Sequence, residues 1–318
     1  MKKIVLALLL LIVSLGFAQE RIVPLKFGDM ESWTVRYIKE SNLIGGQTKT
    51  LYVLGPTDTI GCENGNVPYK FTKTSWGISN AYANVSGVAK GANTTQPERR
   101  GDGWCARLDT RMETVCVLGI IDVKVAIAGT LFLGSVIEPV KSANDPYGSV
   151  DFGLPFTQKP KALLLDLKTR VSDKNIVTKA LGVKVTTIVG HDEPEIFLYL
   201  QKRWEDNHGN IYAKRIATVR QRFPKTIPDW HDDYRLDLHY GDISKRADFK
   251  TYQGLADNRG QLQTKNSKGK MVPIQEVAWG TDDDLPTHIV LMISAGCYPA
   301  FYGTLGNALW VDNVRLVY

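Results

Sequence analysis

The chain contains few of the residues that build metal sites and disulfide frameworks, with four cysteines and five histidines in 318 residues. The cysteines are Cys62, Cys105, Cys116 and Cys297, and they form no Cys-x-x-Cys pair and have no histidine at ligand spacing. These spacings argue against a zinc site. They leave open whether the cysteines form disulfides, with three possible pairings, or remain buried thiols in a core that needs no covalent staples.

The chain also lacks any concentration of charge of one sign. The formal net charge is +6, and it falls to +4, from 37 basic and 33 acidic residues, once Lys2 and Lys3 are removed with the leader described below. Basic residues are interspersed with acidic ones, and no basic stripe with interleaved aromatic residues is present. We therefore expect no nucleic-acid partner.

Long hydrophobic runs are absent except at the N-terminus. Lys2 and Lys3 precede the apolar stretch 4–17, and Gly16 and Ala18 place small residues at a cleavage site after Ala18. This pattern predicts a signal peptide at residues 1–18, and the apolar stretch is short for the alternative, a membrane anchor. No cysteine follows the site, so we expect an exported periplasmic, extracellular or cell-surface protein that is not a lipoprotein and has no transmembrane span after cleavage.

Sustained helical periodicity is missing as well. After the leader, no segment of ten or more residues keeps apolar residues at helical spacing, whereas strict alternation recurs, as at Val183, Val185 and Val189 or at Ile196, Leu198 and Leu200. Many short alternating segments separated by turn residues predict an all-β sandwich, with residues 19–318 as one domain. A change of phase at Asp312-Asn313 predicts a β-bulge in the last strand.

The segment Tyr147–Lys168, here called the hinge segment, is central to this organisation. Its loop Asp-Phe-Gly-Leu-Pro-Phe leads into a strand in which Leu163, Leu165 and Leu167 share one face. We interpret it as the connection between two groups of strands. Residues 56–103 and 241–285 are long and polar, and they are predicted to be irregular loops of the kind that often bind ligands.

Six stretches, in order, resemble the PCMD family of Bacteroidetes, a domain family associated with carbohydrate metabolism. They are Phe27–Trp33, Ser75–Asn80, Ala106–Arg111, Ala128–Gly134, Phe152–Ala162 and Phe301–Tyr318. The strand at 164–168 and the turn Cys297-Tyr-Pro depart from the family pattern. The resemblance implies a jelly-roll or galactose-binding-like β-sandwich similar to carbohydrate-binding modules, a cell-envelope setting, and a polysaccharide or oligosaccharide partner.

Aromatic residues in or beside irregular segments are candidates for stacking on sugar rings, because their rings combine apolar area with a polar edge. The candidates are Trp76, Trp204, Trp230, Trp279 and Tyr302. The competing interpretation is that each ring closes an end of the sandwich or covers a loop. Trp33 and Trp310 lie in predicted core strands and are expected to be structural.

Paired carboxylates, which a glycoside hydrolase requires at defined separations, have no recognisable catalytic frame. Acidic groups occur in turns and are expected to be solvated: Asp192, Glu193 and Glu195; Asp232 and Asp233; and Asp282, Asp283 and Asp284. No Gly-x-Ser-x-Gly or metalloprotease motif is present. We therefore expect a non-catalytic carbohydrate-binding protein; the alternatives are a glycoside hydrolase or lyase, and an adhesin-like module that binds a protein.

A structural calcium ion is the one bound group that the sequence raises, and no cofactor is expected to be required. In modules of the kind implied by the resemblance, such an ion often lies where the first and last strands meet. Asp29 and Glu31 near the start and Asp312 near the end could supply hard oxygen ligands. The alternative is that all three are ordinary surface carboxylates.

Overall fold

Strands make up most of the chain in the computed structural model, which describes residues 19–117, 121–142, 144–256 and 262–318. The predicted signal peptide, residues 1–18, lies outside the described residues. The described part contains three short 3₁₀ helices, at Asn42–Ile44, Ile243–Lys245 and Thr251–Gln253. No helix in it is long and apolar enough to cross a membrane.

Twenty-five strands run along the described chain. The first thirteen are β1 (Ile22–Pro24), β2 (Trp33–Lys39), β3 (Thr48–Leu54), β4 (Asp58–Ile60), β5 (Trp76–Ile78), β6 (Ala81–Val85), β7 (Val88–Ala92), β8 (Thr95–Arg100), β9 (Gly103–Val117), β10 (Ile121–Ala128), β11 (Thr130–Val136), β12 (Val150–Phe152) and β13 (Leu154–Pro155). The others are β14 (Ala162–Arg170), β15 (Ile176–Gly182), β16 (Val185–Val189), β17 (Glu195–Glu205), β18 (Ile211–Arg222), β19 (Ile227–Asp237), β20 (His239–Tyr240), β21 (Gln263–Lys265), β22 (Met271–Trp279), β23 (His288–Ser294), β24 (Tyr302–Gly303) and β25 (Ala308–Val317).

Two ten-stranded sheets form the sandwich. Sheet I has the order β16-β15-β10-β9-β25-β14-β19, with β1, β24 and β8 attached at its sides. Sheet II has the order β12-β11-β23-β17-β18-β22-β21, with β13, β20 and β5 attached. A three-stranded sheet, β3-β2-β4, and the ribbon β6-β7 complete the architecture. The prediction of an all-β sandwich is therefore confirmed.

The core lies between the two sheets, because alternate residues of each strand point inward. Leu163, Leu165 and Leu167 of β14 are fully buried, as the sequence predicted. They belong to one cluster with Leu198 and Leu200 of β17 in the facing sheet. Burying a side chain of this kind contributes roughly 1.5–3 kcal/mol, so this interface holds the two sheets together.

The hinge segment crosses from one sheet to the other. Its β12 and β13 pair within sheet II, and β14 then pairs with β19 and β25 in sheet I. The predicted bulge in β25 is also present. The β14–β25 register shifts between Leu164 and Asp166, and Asn313 has a φ of 50°.

The prediction that residues 56–103 form an irregular loop is wrong in part, because the segment contains β4 to β8. The ribbon β6-β7 turns at Ser86-Gly87, and both residues have positive φ, the conformation that two-residue hairpin turns require. The segment 241–285 likewise contains β21 and β22, and β22 pairs in parallel with β18. Small and polar residues weaken the strand signal of β6 to β8 and β21, and Pro273 interrupts that of β22.

The cysteines Cys62, Cys105 and Cys297 are thiols in this structure. Cys105 is buried and its Sγ donates to the Glu98 carbonyl at 3.4 Å. Burial raises the pKa of the Cys105 thiol to about 12. For these three residues the structure favours free thiols over a disulfide, with Cys105 buried and Cys62 and Cys297 half-buried.

Candidate functional site

A large cavity of about 1210 Å³ lies on the face of sheet II that points away from the core. The alternation of β17 creates this division. Leu198 and Leu200 enter the core, whereas Glu195, Phe197 and Tyr199 line the cavity. Strand β10 and the segments 140–150, 251–256 and 296–302 also contribute lining residues. We call this space the sheet II cavity.

Aromatic side chains form the floor of the sheet II cavity. Phe197 and Tyr199 stack with ring centroids 4.5 Å apart and planes 14° apart. Phe132 and Phe152 are in contact at 4.8 Å, and Met292 lies on the strand between these two pairs. The floor is therefore apolar, but its four rings are almost fully buried, and the Tyr199 ring is covered by Phe197 on one face and by Arg215, 3.6 Å from its centroid, on the other.

A charged triad lies at one end of this floor. Glu195 is almost fully buried and faces Arg222 across the β17–β18 pair. Arg220 binds it with two hydrogen bonds, Nε to Oε1 at 2.8 Å and Nη2 to Oε2 at 3.0 Å, and Arg222 Nε donates to Oε1 at 2.7 Å. Burial alone would lower the pKa of Arg222, but the adjacent Glu195 raises it above the ordinary value.

Tyrosines form a wall beside the triad. Tyr298 and Tyr302 stack with centroids 6.5 Å apart and planes 20° apart, and the Tyr252 ring lies 4.3 Å from the Arg222 guanidinium. All three residues line the cavity. They bring aromatic surface next to charged hydrogen-bond donors, a combination suited to saccharides.

The segment 296–304, which carries two of these tyrosines, is held by specific hydrogen bonds. Buried Asp192 accepts from Cys297 N at 2.8 Å and from Thr304 N at 2.9 Å. Tyr147, at the start of the hinge segment, accepts from Ala300 N at 2.8 Å. Burial raises the pKa of Asp192 despite these donors. The tyrosine wall is therefore preorganised by side chains distant in sequence.

The carboxylates that line the cavity are Glu113 and Glu195 among the described residues. Glu113 pairs with Lys49 at 3.1 Å and with Lys90 at 3.7 Å. Each of these carboxylates is already paired with two cations. The described lining therefore contains no pair of unpaired carboxylates of the kind that glycoside hydrolysis requires.

Comparison with known proteins places the chain in a family. A family model with the description "Putative carbohydrate metabolism domain", PCMD, matches residues 59–317. The chain belongs to the PCMD family. The matched region starts within β4 and ends at the last residue of β25, and it includes the whole sheet II cavity. The resemblance inferred from the six sequence stretches is confirmed.

Two solved structures are similar to this PCMD protein. One, from Bacteroides thetaiotaomicron and described as "a putative glycoside hydrolase", is 15% identical, with 86% of this chain and 76% of that chain covered and a TM-score of 0.42. The other, from Bacteroides vulgatus with the same description, is 14% identical, with 93% and 94% covered and a TM-score of 0.40. No curated protein matches the chain.

The five predicted aromatic residues of this PCMD protein lie in different places. Tyr302 lines the sheet II cavity. Trp204 is 43% exposed and stacks on Tyr212 with centroids 5.8 Å apart, outside the cavity lining. Trp279 is half-buried beside Arg215. The structure therefore supplies two separate candidate stacking surfaces, at Tyr302 and at Trp204.

Trp76 is committed to the core, whereas Trp230 is half-buried on a strand. Trp76 is completely buried, and its Nε1 donates to the Lys26 carbonyl at 2.8 Å, so its ring faces are not available to a sugar. Trp230 lies on strand β19 rather than in a loop, with Arg100 4.0 Å and Lys168 5.5 Å from its ring. Trp33 and Trp310 are buried, as expected for structural residues.

The predicted carboxylate groups are separated by the fold. Asp232 pairs with Arg100 and Asp233 with Arg315, both at sheet I, whereas Asp284 pairs with Lys202. Asp192 and Glu195, predicted to be solvated, are instead buried. The expectation failed for these two because each has donors that compensate the burial of its charge.

The three predicted calcium ligands do not assemble into a metal site. Asp312 is buried and accepts from Arg100 Nη1 at 2.7 Å, and Glu31 accepts from Trp104 N at 3.0 Å. Across the described ranges, no group of three or more acidic, histidine or cysteine side chains is placed to hold a metal ion. The Arg100 guanidinium occupies the position next to Asp312 that a cation would need.

Sequence reasoning missed most of the residues that build the cavity. The alternation of Glu195, Phe197 and Tyr199 with core residues predicts a strand with both faces buried, and both faces are buried in the structure, so this pattern does not distinguish a cavity lining from a second core face. Arg220 and Arg222 also alternate along the returning strand. Two arginines that lie two residues apart on one strand, with a glutamate opposite on the paired strand, are the signal that could have indicated a polar cavity.

Proposed function

We propose that this PCMD protein is an exported, non-catalytic carbohydrate-binding protein and that saccharide binds in the sheet II cavity. The observation that carries the proposal is the wall of partly exposed tyrosines beside arginine donors at one end of a large apolar cavity. Saccharide recognition uses such rings for the apolar faces of the sugar and polar donors for its hydroxyls. The PCMD membership supports a carbohydrate-related role.

The non-catalytic part of the proposal rests on the state of the carboxylates. Glycoside hydrolysis needs one carboxyl group as acid and a second as base or nucleophile. Glu195 is bound by two arginines and Glu113 by two lysines. Release of reducing sugar from a polysaccharide, abolished by Glu195→Gln, would overturn this part in favour of a hydrolase.

A glycan array with the mature protein, run with and without EDTA, is the test of binding. We expect Tyr298→Ala with Tyr302→Ala to weaken binding about tenfold or more, because the stacking wall is lost. Trp204→Ala is the matched control, since it removes an exposed aromatic ring outside the cavity. Binding that depends on Trp204 but not on the two tyrosines would move the site away from the cavity.

A further inference from the structure

The charges that line the sheet II cavity do not balance. The lining contains Lys90, Arg220 and Arg222 against Glu113 and Glu195. Glu113 is paired with Lys90 and also with Lys49. The excess positive charge therefore lies in the triad, where two arginines share one carboxylate.

The two arginines differ in how many of their donors are used. Arg220 donates from Nε and Nη2 to Glu195 and from Nη1 to the Tyr252 carbonyl at 2.5 Å. Arg222 donates only from Nε, and within the described residues its Nη1 and Nη2 have no hydrogen-bond partner. Arg220 alone already forms a two-bond pair with Glu195, so Arg222 is not needed to neutralise that carboxylate.

A second polar group in the same lining is unpartnered. Tyr199 is about 1% exposed, and its Oη meets no group with hydrogen-bond geometry in the described structure, although Arg220 lies close by. A buried hydroxyl without a partner is unfavourable. Because the Tyr199 hydroxyl is not accessible, the unused donors that a ligand can reach are those of Arg222, whose side chain is 24% exposed.

We infer that the sheet II cavity takes an acidic saccharide, one bearing a carboxylate or sulfate group, and that Arg222 binds the anionic group through its free Nη1–Nη2 edge. This inference rests on the proposed function. A guanidinium edge can bind a carboxylate or sulfate through two parallel hydrogen bonds, which gives both strength and orientation. The Tyr252 ring against Arg222 supports the guanidinium from one face.

The experiment is a titration of the full mature protein with matched oligosaccharides. The probes are uronic-acid oligosaccharides, their carboxyl-reduced neutral forms and sulfated forms of the neutral backbones, drawn from several backbone types. We expect at least one acidic form to bind about tenfold or more tightly than its neutral counterpart. Preference for the uronate or for the sulfate identifies the anionic group.

Variants test the role of Arg222. We expect Arg222→Gln to remove most of the preference for the acidic form and to leave binding of the neutral form nearly unchanged. Arg222→Lys keeps the charge without the two-bond edge, so it should retain part of the preference. Arg235→Gln, which removes one exposed positive charge on sheet I, is the matched control. It should change neither the preference for the acidic form nor the binding of the neutral form.

The outcomes separate this inference from the proposed function. If no saccharide of any charge binds, the proposed function fails and this inference with it. If neutral forms bind as tightly as acidic ones, or if Arg222→Gln retains the full preference, the inference is overturned and the proposed function stands. Thermal melting of each variant checks folding, and should Arg222→Gln fail to fold, the Arg222→Lys result decides.

Discussion

The hydroxyl of Tyr199 affects stability as a buried polar group without a hydrogen-bond partner. Because Oη is buried without a partner, we expect Tyr199→Phe to leave the free energy of unfolding unchanged or to raise it by about 1 kcal/mol. The same variant should leave saccharide binding nearly unchanged, because the hydroxyl is not accessible to a ligand in the cavity. Urea unfolding and titration of the same samples measure both, and a clear loss of stability would show that the hydroxyl has a structural partner.

His288 makes stability depend on pH. Burial, with nearby Arg203, lowers the pKa of His288 from 6.5 to about 4. The unfolded chain therefore binds a proton at a pH where the folded chain does not, and stability falls as the pH drops from about 6.5 to about 4. Because His288 is only partly buried, we expect its contribution to be about 1–2 kcal/mol rather than the full value of the shift.

The check is a set of urea unfolding curves between about pH 7 and pH 4.5. The wild type should lose stability more steeply on acidification than His288→Gln. His191→Gln, at an exposed position, should follow the wild type. Parallel curves for wild type and His288→Gln would contradict the prediction.

At the scale of single residues, the sequence predicted burial better than it predicted function. Leu163, Leu165 and Leu167 are core residues as expected, since alternation encodes which face is apolar. Trp76 was assigned to a binding loop, yet it belongs to β5 in the core. A tryptophan near glycines looks the same in a sequence whether its ring is packed inside or exposed, because its environment comes from strands distant in the chain.

At the scale of elements, a buried ion pair joins β18 to the parallel strand β22. Arg215 Nε donates to Glu276 Oε1 at 2.9 Å, and a second hydrogen bond joins Nη2 to Oε2. Both side chains are fully buried. We expect Arg215→Met to cost about 3–5 kcal/mol, since it leaves a buried carboxylate without its cation.

The double variant Arg215→Met with Glu276→Leu should be less destabilised than Arg215→Met alone, because no unpaired charge remains. Glu276 also accepts from Gln201 Nε2 and Ala256 N, so recovery should be incomplete. Urea unfolding of the wild type, Arg215→Met, Glu276→Leu and the double variant gives the coupling free energy between the two residues. Arg246→Met, in an exposed pair with Asp248, is the control and should change stability little. If the losses of stability of the two single variants simply add in the double variant, the prediction of a coupled pair is contradicted.

Elements with strong alternation, such as β14 and β17, were predictable, whereas short strands in polar segments were not. Strands β6 and β7 contain alanine, asparagine, lysine and glycine, residues with little preference for strands. Asn80 and Glu40 bind the backbone in and beside these strands, with Asn80 Oδ1 accepting from Thr94 N at 2.8 Å and Glu40 Oε1 from Gly91 N at 3.2 Å. Such stabilisation depends on tertiary partners that a local pattern does not contain.

At the scale of the whole molecule, export remains a prediction with a direct measurement. We expect cleavage after Ala18, so the mature chain should begin at Gln19. Expression of the full sequence in a Gram-negative host, followed by intact-mass analysis of the periplasmic and extracellular fractions, checks this. Ala18→Arg should block processing, because the cleavage site requires a small residue there. A full-length chain retained in the cytoplasm would contradict the prediction.

The cavity as a whole was not predictable, because its parts meet only in the folded molecule. Glu195 and Arg222 face each other across one hairpin, but Tyr252 and Tyr298 come from separate segments. Their segments have no shared motif. The sandwich architecture follows from local alternation, whereas the site depends on which loops the two sheets bring to one face.

Strand β25 has a consequence for biosynthesis. It lies in the middle of sheet I, between β9 and β14, and it also pairs with β1. Its partners precede it by long stretches of chain, so sheet I cannot close until residues 308–317 have emerged from the ribosome. Such non-local pairing is slow. Slow closure is compatible with the predicted export, because a translocon takes an unfolded chain, whereas a product truncated before β25 would expose unpaired strand edges and aggregate.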